Sequence, residues 1–173
     1  YASTFITFGY LINQKFDYGN YGGISGGFRS DLSSEFGEAQ KRAFFPRFDG
    51  YVRINEFVNI DWLYELKLRA AYGKAGIQPS VYTRQITLSP DALGTGGYLY
   101  LPGISHNPEL EVEITEEIEF GLDYGLYLGS RTWLNKASGS LVYWTRNSYG
   151  SIYSIGVAPS TGASGIVTNA VDL

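Results

Sequence analysis

The sequence predicts an all-β fold whose antiparallel strands cross a membrane as part of a β-barrel. Three observations favour this class: apolar and polar residues alternate with a period of two over long stretches, short and long connections separate these stretches, and aromatic residues make up 16% of the 173 residues. Charged residues account for 17%, against a usual ~25%. This aromatic-rich composition, with a formal net charge of −4, excludes a disordered chain.

The clearest predicted strand runs from Val112 to Tyr127. Its even positions are apolar apart from Glu116, and its odd positions are mostly acidic or small. Because successive side chains of a strand point to opposite faces, one face is apolar and the other acidic. Strands of globular proteins average ~5–6 residues, whereas a membrane-crossing strand needs ~9–11. The length of this alternation therefore predicts a strand that spans a bilayer.

Five more stretches alternate in a similar way and complete a set of six predicted strands. They are Ala2–Ile12, Phe16–Phe28, Ala43–Asn55, Leu66–Gly73 and Trp133–Tyr149. Tight turns are predicted at Asn13–Lys15 and Gly129–Thr132, and the short connection at 55–64 is predicted to form one helical turn around Trp62. The connections at 30–42, at 74–111 and from Ser151 onward are long. Short turns on one side and long loops on the other are typical of outer-membrane barrels.

Six strands are too few to close such a barrel, because single-chain outer-membrane barrels begin at eight strands. An open sheet edge in lipid would leave backbone groups without hydrogen bonds. The sequence starts inside a patterned segment, with no signal peptide ahead of it and no run of 18 apolar residues for a transmembrane helix. We therefore expect the chain to be a piece of a longer protein.

The alternation assigns the strand residues to two faces. The residues predicted to face lipid are Phe48, Val52, Ile54, Leu66, Leu68, Ile118, Phe120, Leu122 and Tyr124. The polar residues predicted to face the lumen are Arg47, Asp49, Arg53, Lys67, Arg69, Glu113, Glu117, Glu119 and Asp123. Since acids and bases share this second face, we expect them to pair within the lumen or with a plug, with direct substrate contact as the alternative.

The spacing of the acidic residues also fits the carboxylate separation of one class of enzyme, the inverting glycosidases. Alternate residues of a strand lie ~7 Å apart, and inverting glycosidases separate their two carboxylates by ~6.5–9.5 Å. A hydrated barrel lumen carries such residues without any chemistry, so we do not expect an enzyme. The sequence contains no Cys and a single His, His106, which we expect in a turn. We therefore also expect no bound metal and no cofactor. The lack of a basic excess argues against a nucleic-acid partner.

Aromatic residues supply the candidate contact residues. Tyr82, Tyr98 and Tyr100 lie in the long connection at 74–111, where they are candidates for stacking on a substrate, and packing of the loop is the alternative. The tryptophans are predicted to lie in the aromatic girdles at the membrane surface, namely Trp62, Trp133 and Trp144.

Residues 62–76, W-L-Y-E-L-K-L-R-A-A-Y-G-K-A-G, resemble the W-L-x-x-L-K-L-R-A-S-Y-G-x-x-G stretch of SusC/RagA-type TonB-dependent outer-membrane transporters. Further segments resemble other motifs of that family in the same order, at 28–37, 45–54, 107–115, 120–126 and 159–170. The last of these contains Pro159-Ser160-Thr161-Gly162 and Thr168-Asn169-Ala170. Six segments in register make the resemblance specific.

The resemblance implies a barrel of about 22 strands with a plug domain, located in the outer membrane of a Gram-negative bacterium. It implies import of oligosaccharides, glycans or peptides with a SusD-like surface lipoprotein and the TonB complex as partners. Residues 1–173 would be one fragment of the barrel domain, six consecutive strands in contact with outer-membrane lipids, and we expect the plug and the TonB box outside it.

Two other functions also predict alternating strands. The first is a TonB-dependent receptor for a siderophore or another cargo, which shares the physics of the barrel. The second is a soluble carbohydrate-binding β-sandwich. Its strands would have to be ~40 Å or more long at ~3.3 Å per residue, so the sandwich is disfavoured.

Overall fold

The structure is a computed structural model that describes residues 6–33, 42–77, 79, 84, 88–101, 103–129 and 134–171. Eleven strands are present in these ranges: β1 Thr7–Tyr18, β2 Gly22–Ser33, β3 Ala43–Arg53, β4 Leu63–Ile77, β5 Ser89–Leu93, β6 Gly96–Tyr100, β7 Ile104–Ser105, β8 Glu113–Tyr127, β9 Lys136–Tyr149, β10 Ser151–Gly156 and β11 Gly165–Val171. Two short 3-10 helices lie at Ile54–Glu56 and Pro159–Thr161. Within the described ranges, no helix has the length and apolar content needed to cross a membrane.

Six long strands form one antiparallel sheet in the order β1-β2-β3-β4-β8-β9, here called the main sheet. These strands correspond to the six that the alternation predicts, which confirms the all-β, antiparallel fold. Sequence-adjacent strands pair throughout, except that β4 pairs with β8 across the connection that holds β5–β7. The sheet therefore has a turn end, with connections at 19–21, 54–62 and 128–135, and a loop end, where the long connections leave.

Two smaller sheets lie within these long connections. Strands β10, β11 and β7 form a three-stranded sheet, here called the loop sheet, and β5 and β6 form a separate hairpin. The described parts of the connections at 74–111 and beyond Ser151 thus contain strands of their own. Alternation did not predict these strands, because runs of two to seven residues are too short for a period to stand out.

The predicted turn at Asn13–Lys15 is wrong. Strand β1 continues through these residues, which pair with Gly27, Gly26 and Ser25 of β2. The chain instead reverses at residues 19–21, where the Tyr21 amide donates to the Tyr18 carbonyl oxygen at 3.0 Å. Gly19 has a φ of 51°, a conformation that glycine adopts without the steric cost of a side chain. The turn therefore forms at Gly19, where the backbone can adopt a positive φ, and the polar residues Asn13–Lys15 remain in the strand.

The predicted helical turn around Trp62 is also displaced. The 3-10 turn occupies Ile54–Glu56, directly after β3, and the Phe57 amide donates to the Ile54 carbonyl oxygen at 3.0 Å. Ile54 therefore lies outside β3, and its predicted place on the lipid side of a strand is corrected. Most of the predicted turn at Gly129–Thr132 lies outside the described residues, as do Tyr82 and Trp133.

One side of the main sheet is apolar across its whole width, and we call it the apolar face. Phe48 pairs with Tyr72, which pairs with Ile118, and directly paired residues point to the same side. The same side carries the other strand residues predicted to face lipid, which are Val52, Leu66, Leu68, Phe120, Leu122 and Tyr124. Phe48 is 57% exposed and Phe120 54%, so within the described ranges no second layer of protein covers these two side chains.

The small core lies at the loop end rather than along the sheet. Ala43, Phe45 and Val112 form a buried cluster, and nearby in sequence Leu110 is only 2% exposed. The ring of Phe45 lies over Gly76, where a Cβ atom would come within 2.4 Å of it. This packing holds the bases of two long connections against the ends of β3 and β4.

Candidate functional site

The second side of the main sheet, here called the charged face, gathers the polar residues that the sequence predicts to share one side. The register rows Arg53–Lys67–Asp123, Asp49–Ala71–Glu119 and Arg47–Gly73–Glu117 run directly across β3, β4 and β8. Arg69 and Glu113 lie in the same phase on β4 and β8. All nine predicted residues therefore occupy this face, opposite the apolar face.

An ion-pair network crosses the charged face between β4 and β8. Arg69 pairs with Glu119, and its Nε atom lies 3.5 Å from Asp123 Oδ2. Lys67 Nζ lies 3.6 Å from the same Asp123 oxygen, and Ser140 of β9 donates to Asp123 Oδ1 at 2.7 Å. Two cations thus balance the charge of Asp123, and one hydroxyl donates a hydrogen bond to it. These contacts link three neighbouring strands.

Glycine makes the close fit of this network possible. The Arg69 side chain lies flat over Gly121, where a Cβ atom would come within 2.5 Å of Arg69 Nε. Since Gly121 stands between Glu119 and Asp123 on this face, the bare backbone lets one guanidinium reach both carboxylates. The Tyr64 ring lies over Gly125 in a similar way, since a Cβ atom on Gly125 would come within 2.4 Å of the ring.

Strand β9 adds two residues to the charged face that the sequence analysis did not place there. Arg146 Nη2 lies 2.6 Å from Glu117 Oε2, and its guanidinium lies 5.5 Å from the Trp144 ring centroid. Trp144 pairs with Glu119 in the register and is on the charged face, so the girdle prediction for this residue is wrong. Both faces of β9 carry apolar residues, which is why the alternation was ambiguous; only pairing with β8 decides the phase.

The β3 cations behave differently from those of β4. Among the described residues, Arg47 and Arg53 form no ion pair, whereas Lys67 and Arg69 do. The Arg53 guanidinium lies 5.6 Å from the Tyr51 ring centroid, a cation–π distance. Arg47 lines an open cavity of about 520 Å³ together with Gly73, Glu117 and Arg146. The expected pairing of acids and bases thus occurs on β4, β8 and β9, whereas the two β3 arginines have no acidic partner within the described ranges.

The β5–β6 hairpin presents two of the predicted contact tyrosines. Tyr98 and Tyr100 lie on one face with ring centroids 6.0 Å apart, and Tyr98 Oη donates to Asp91 Oδ2 at 3.3 Å. Both rings are exposed, as is the neighbouring Leu99. The two rings therefore lie side by side on the hairpin, in contact with each other.

Aromatic residues also cluster at the turn end. Tyr21 lies between Tyr18 and Phe57, with ring centroids 5.6 and 5.1 Å away. Trp62 is exposed just before β4 begins. The turn end of the apolar face is therefore bordered by rings, in the arrangement that a membrane surface favours.

Comparison with known proteins bears on the fold. No protein-family profile and no curated protein sequence matches the chain. The chain is similar to a structure of the RagAB peptide importer in its "closed-closed" state, with 20% identity and a TM-score of 0.81 over 96% of this chain and 18% of that chain. At this level of identity the similarity concerns the fold, an antiparallel sheet of long strands. The "open-open" state of the same importer gives 21% identity and a TM-score of 0.80 over 97% of this chain and 18% of that one.

A second kind of barrel protein matches less well. The siderophore receptor PirA from Pseudomonas aeruginosa gives 15% identity and a TM-score of 0.63 over 96% of this chain and 29% of that chain. The chain spans less than a third of the length of each of these three structures. These likenesses confirm, at the level of fold, the resemblance to SusC/RagA-type transporters that the six sequence segments indicate.

Proposed function

We propose that this chain is part of the wall of a TonB-dependent transporter in the outer membrane of a Gram-negative bacterium, with the apolar face in lipid and the charged face lining the lumen. One observation carries the proposal: a single sheet of strands 11 to 15 residues long has an exposed apolar face on one side and an ion-paired face on the other. Residues 1–173 form one fragment of the barrel domain, and other parts of the protein close the barrel.

The extent of the apolar face supports contact with a bilayer. On β8, apolar residues continue from Ile118 to Leu126, eight residue steps or ~26 Å at ~3.3 Å per residue. The apolar band of outer-membrane barrels is ~25 Å tall. Glu116 interrupts the pattern immediately beyond this stretch, and it pairs with Lys74 of β4 on the same face. An ion pair at this position marks the edge of the band, where water and lipid headgroups begin.

The exposure of the apolar face disfavours a soluble sandwich. A sandwich would bury the inner face of each sheet beneath a second sheet. Phe120 and Phe48, near the middle of the face, are more than half exposed. The carboxylates disfavour an enzyme, because Glu117 and Glu119 each form an ion pair with an arginine, which favours the ionised form over the protonated form that a general acid needs.

The cargo and partners that we propose are those of SusC-like importers: oligosaccharides, glycans or peptides taken up with a SusD-like lipoprotein, and energy from the TonB complex through a plug domain. The TM-score of 0.81 to the peptide importer, against 0.63 to the siderophore receptor at the same 96% coverage, supports this class over the siderophore alternative.

The hairpin tyrosines are the proposed cargo contacts. Replacing Tyr98 and Tyr100 together by Ala is expected to raise the half-saturating cargo concentration at least about 5-fold, since two aromatic contacts of roughly 0.5–1.5 kcal/mol each amount to roughly 1–3 kcal/mol. Maximal uptake should stay within about twofold of wild type. Tyr153→Ala in the loop sheet removes an equally exposed ring and serves as the control.

The proposed function is tested on the full-length protein in its native membranes. We expect it to fractionate with the outer membrane, to need detergent for extraction, to co-purify with a SusD-like lipoprotein, and to lose uptake when TonB is deleted. A stable native preparation without the lipoprotein would favour the siderophore-type receptor. A monodisperse protein that folds cooperatively in detergent-free buffer would contradict the membrane proposal altogether.

A further inference from the structure

The loop sheet joins two connections that are far apart in sequence. Strand β7 belongs to the connection between β4 and β8, whereas β11 follows β9, and they pair in parallel with Ile166 opposite Ser105. The backbone amides of Ser164 and Gly165 both donate to the Gly103 carbonyl oxygen, at 2.7 and 3.0 Å. Through β7, β10 and β11, the two long loops therefore share one hydrogen-bonded unit.

The side chain of Asn169 links this unit to the main sheet through three hydrogen bonds. Its Oδ1 atom accepts from the Glu111 backbone amide at 2.9 Å, and its Nδ2 atom donates to the Glu111 carbonyl oxygen at 3.1 Å. Nδ2 also donates to the Gly150 carbonyl oxygen at 2.6 Å. Glu111 lies just before β8, and Gly150, with a φ of 64°, separates β9 from β10. One amide thus bridges the loop ends of both strands.

The junction around Asn169 is packed as well as hydrogen-bonded. Ser151, the first residue of β10, is only 3% exposed and donates to Glu113 Oε1 at 3.2 Å. Leu110 is buried next to Glu111. The β5–β6 hairpin, by contrast, has exposed side chains along nearly its whole length. Backbone hydrogen bonds in a packed junction open rarely, and those in an exposed hairpin open readily.

We propose that Asn169 is a positioning residue that holds the loop sheet in a fixed position at the loop end, so that β7, β10 and β11 act as one rigid unit, here called the ledge, while cargo passes. This inference rests on the proposed transport function. The ledge keeps β7, β10 and β11 together throughout the transport cycle. Conformational change at the loop end is then confined to the β5–β6 hairpin, which carries the exposed tyrosines.

The chemistry of the amide allows a sharp pair of variants. Asn169→Ala removes all three hydrogen bonds. Asn169→Asp keeps an acceptor for the Glu111 amide but places a carboxylate against the carbonyl oxygens of Glu111 and Gly150, which repel it. We expect amide hydrogen exchange in β11 and β7 to accelerate about 10-fold or more in Asn169→Ala and at least as much in Asn169→Asp.

Asn107→Ala is the matched control. Asn107 lies in the same connection as Glu111, and its side chain accepts only a local bond, from the Glu109 amide at 2.9 Å. This variant is expected to leave exchange in β11 unchanged. If Asn169→Ala also leaves exchange in β11 and β7 at the wild-type rate, Asn169 does not fasten the ledge and the proposal is wrong.

A disulfide tests whether the ledge stays intact during transport. The 173 residues contain no Cys, so Ser105→Cys with Ile166→Cys adds the only thiols of this segment, at directly paired positions. In the full-length protein we expect efficient oxidation and uptake within about twofold of the reduced form. Loss of uptake on oxidation, restored by a reducing agent, would show that the loops separate and would overturn the proposal.

The two proposals fail in distinguishable ways. If the unmodified protein shows no uptake, the transport function fails, while the exchange rates still report whether Asn169 fastens the loops. If uptake is normal but oxidation blocks it, the transport function stands and the rigid ledge does not.

Discussion

The apolar face and the charged face of the main sheet share one backbone but use their side chains in opposite ways. On the apolar face, large residues such as Phe48, Phe120 and Tyr143 stand exposed, each more than half accessible. On the charged face, long side chains fold onto glycines and onto opposite charges, as Arg69 does over Gly121. The large side chains of the apolar face thus remain exposed. The long side chains of the charged face are held in place by specific neighbours.

The largest expected effect comes from placing a charge on the apolar face. Leu141 and Val142 are neighbours in β9, both exposed, and they lie on opposite faces. Leu141→Arg in the full-length protein should lower the free energy of unfolding from lipid vesicles by roughly 2–4 kcal/mol, the cost of a cation near the middle of the bilayer.

Val142→Arg is the control on the charged face, where the side chain reaches water. We expect a change within about 1 kcal/mol. Denaturant titration in vesicles measures both values. Equal costs for the two variants would contradict the assignment of the faces to lipid and lumen.

The next largest change in the free energy of unfolding is expected at Gly121, the glycine beneath the Arg69 side chain. Gly121→Val is expected to cost about 1–3 kcal/mol, because the new side chain overlaps the Arg69 side chain and forces the guanidinium away from Glu119 and Asp123. Gly73→Val lies on the same face of β4, where a Cβ atom meets nothing within 4 Å. Its cost should be near zero, as measured by the same unfolding titration. If both variants cost the same, close approach is not the reason for Gly121.

An intermediate effect is expected at the edge of the apolar band. Lys74→Leu or Glu116→Leu alone leaves one charge without its partner and should cost about 1–2 kcal/mol, between the values of exposed and buried pairs. The double variant, Lys74→Leu with Glu116→Leu, should recover most of this loss because no charge remains. A double-mutant cycle measures the coupling, and strictly additive costs would show that the pair has no joint role.

The smallest effect distinguishes paired from unpaired cations of the charged face. Arg69→Ala should lower stability by about 0.5–1 kcal/mol at low salt and by less at high salt, since half-exposed ion pairs are weak and screened. Arg47→Ala removes a cation with no ion pair among the described residues and should change stability by less than about 0.5 kcal/mol. Salt titration of both variants checks this, and an identical salt response would argue against the network.

Much of the main sheet follows from local pattern. In β8 the alternation of apolar and polar residues is broken only at Glu116, so its span and its two faces were predicted to within a residue. In β9 apolar residues occur on both sides, and Trp144 was assigned to the wrong surface. The hairpin turn was misplaced as well, because the polar residues Asn13–Lys15 suggested a turn while the conformational freedom of Gly19 decided where the chain reverses.

The pairing partners could not be predicted in this way. Arg69 meets Glu119 and Asp123 because β4 and β8 are neighbours at one register, although the connection between them is long. Asn169 meets Glu111 across a sequence separation of 58 residues. Contacts of this kind depend on strand order and on the path of the loops, for which side-chain periodicity contains no information.

Periodicity along the chain was thus sufficient for the class of fold, the six long strands and the division of their residues between an apolar and a charged face. The physical reason is that a strand sends successive side chains to opposite sides wherever it lies. Which acid meets which base, which glycine lies beneath a long side chain, and how two distant loops join through Asn169 were decided only by the tertiary structure, because register and loop packing bring together residues that the chain keeps apart.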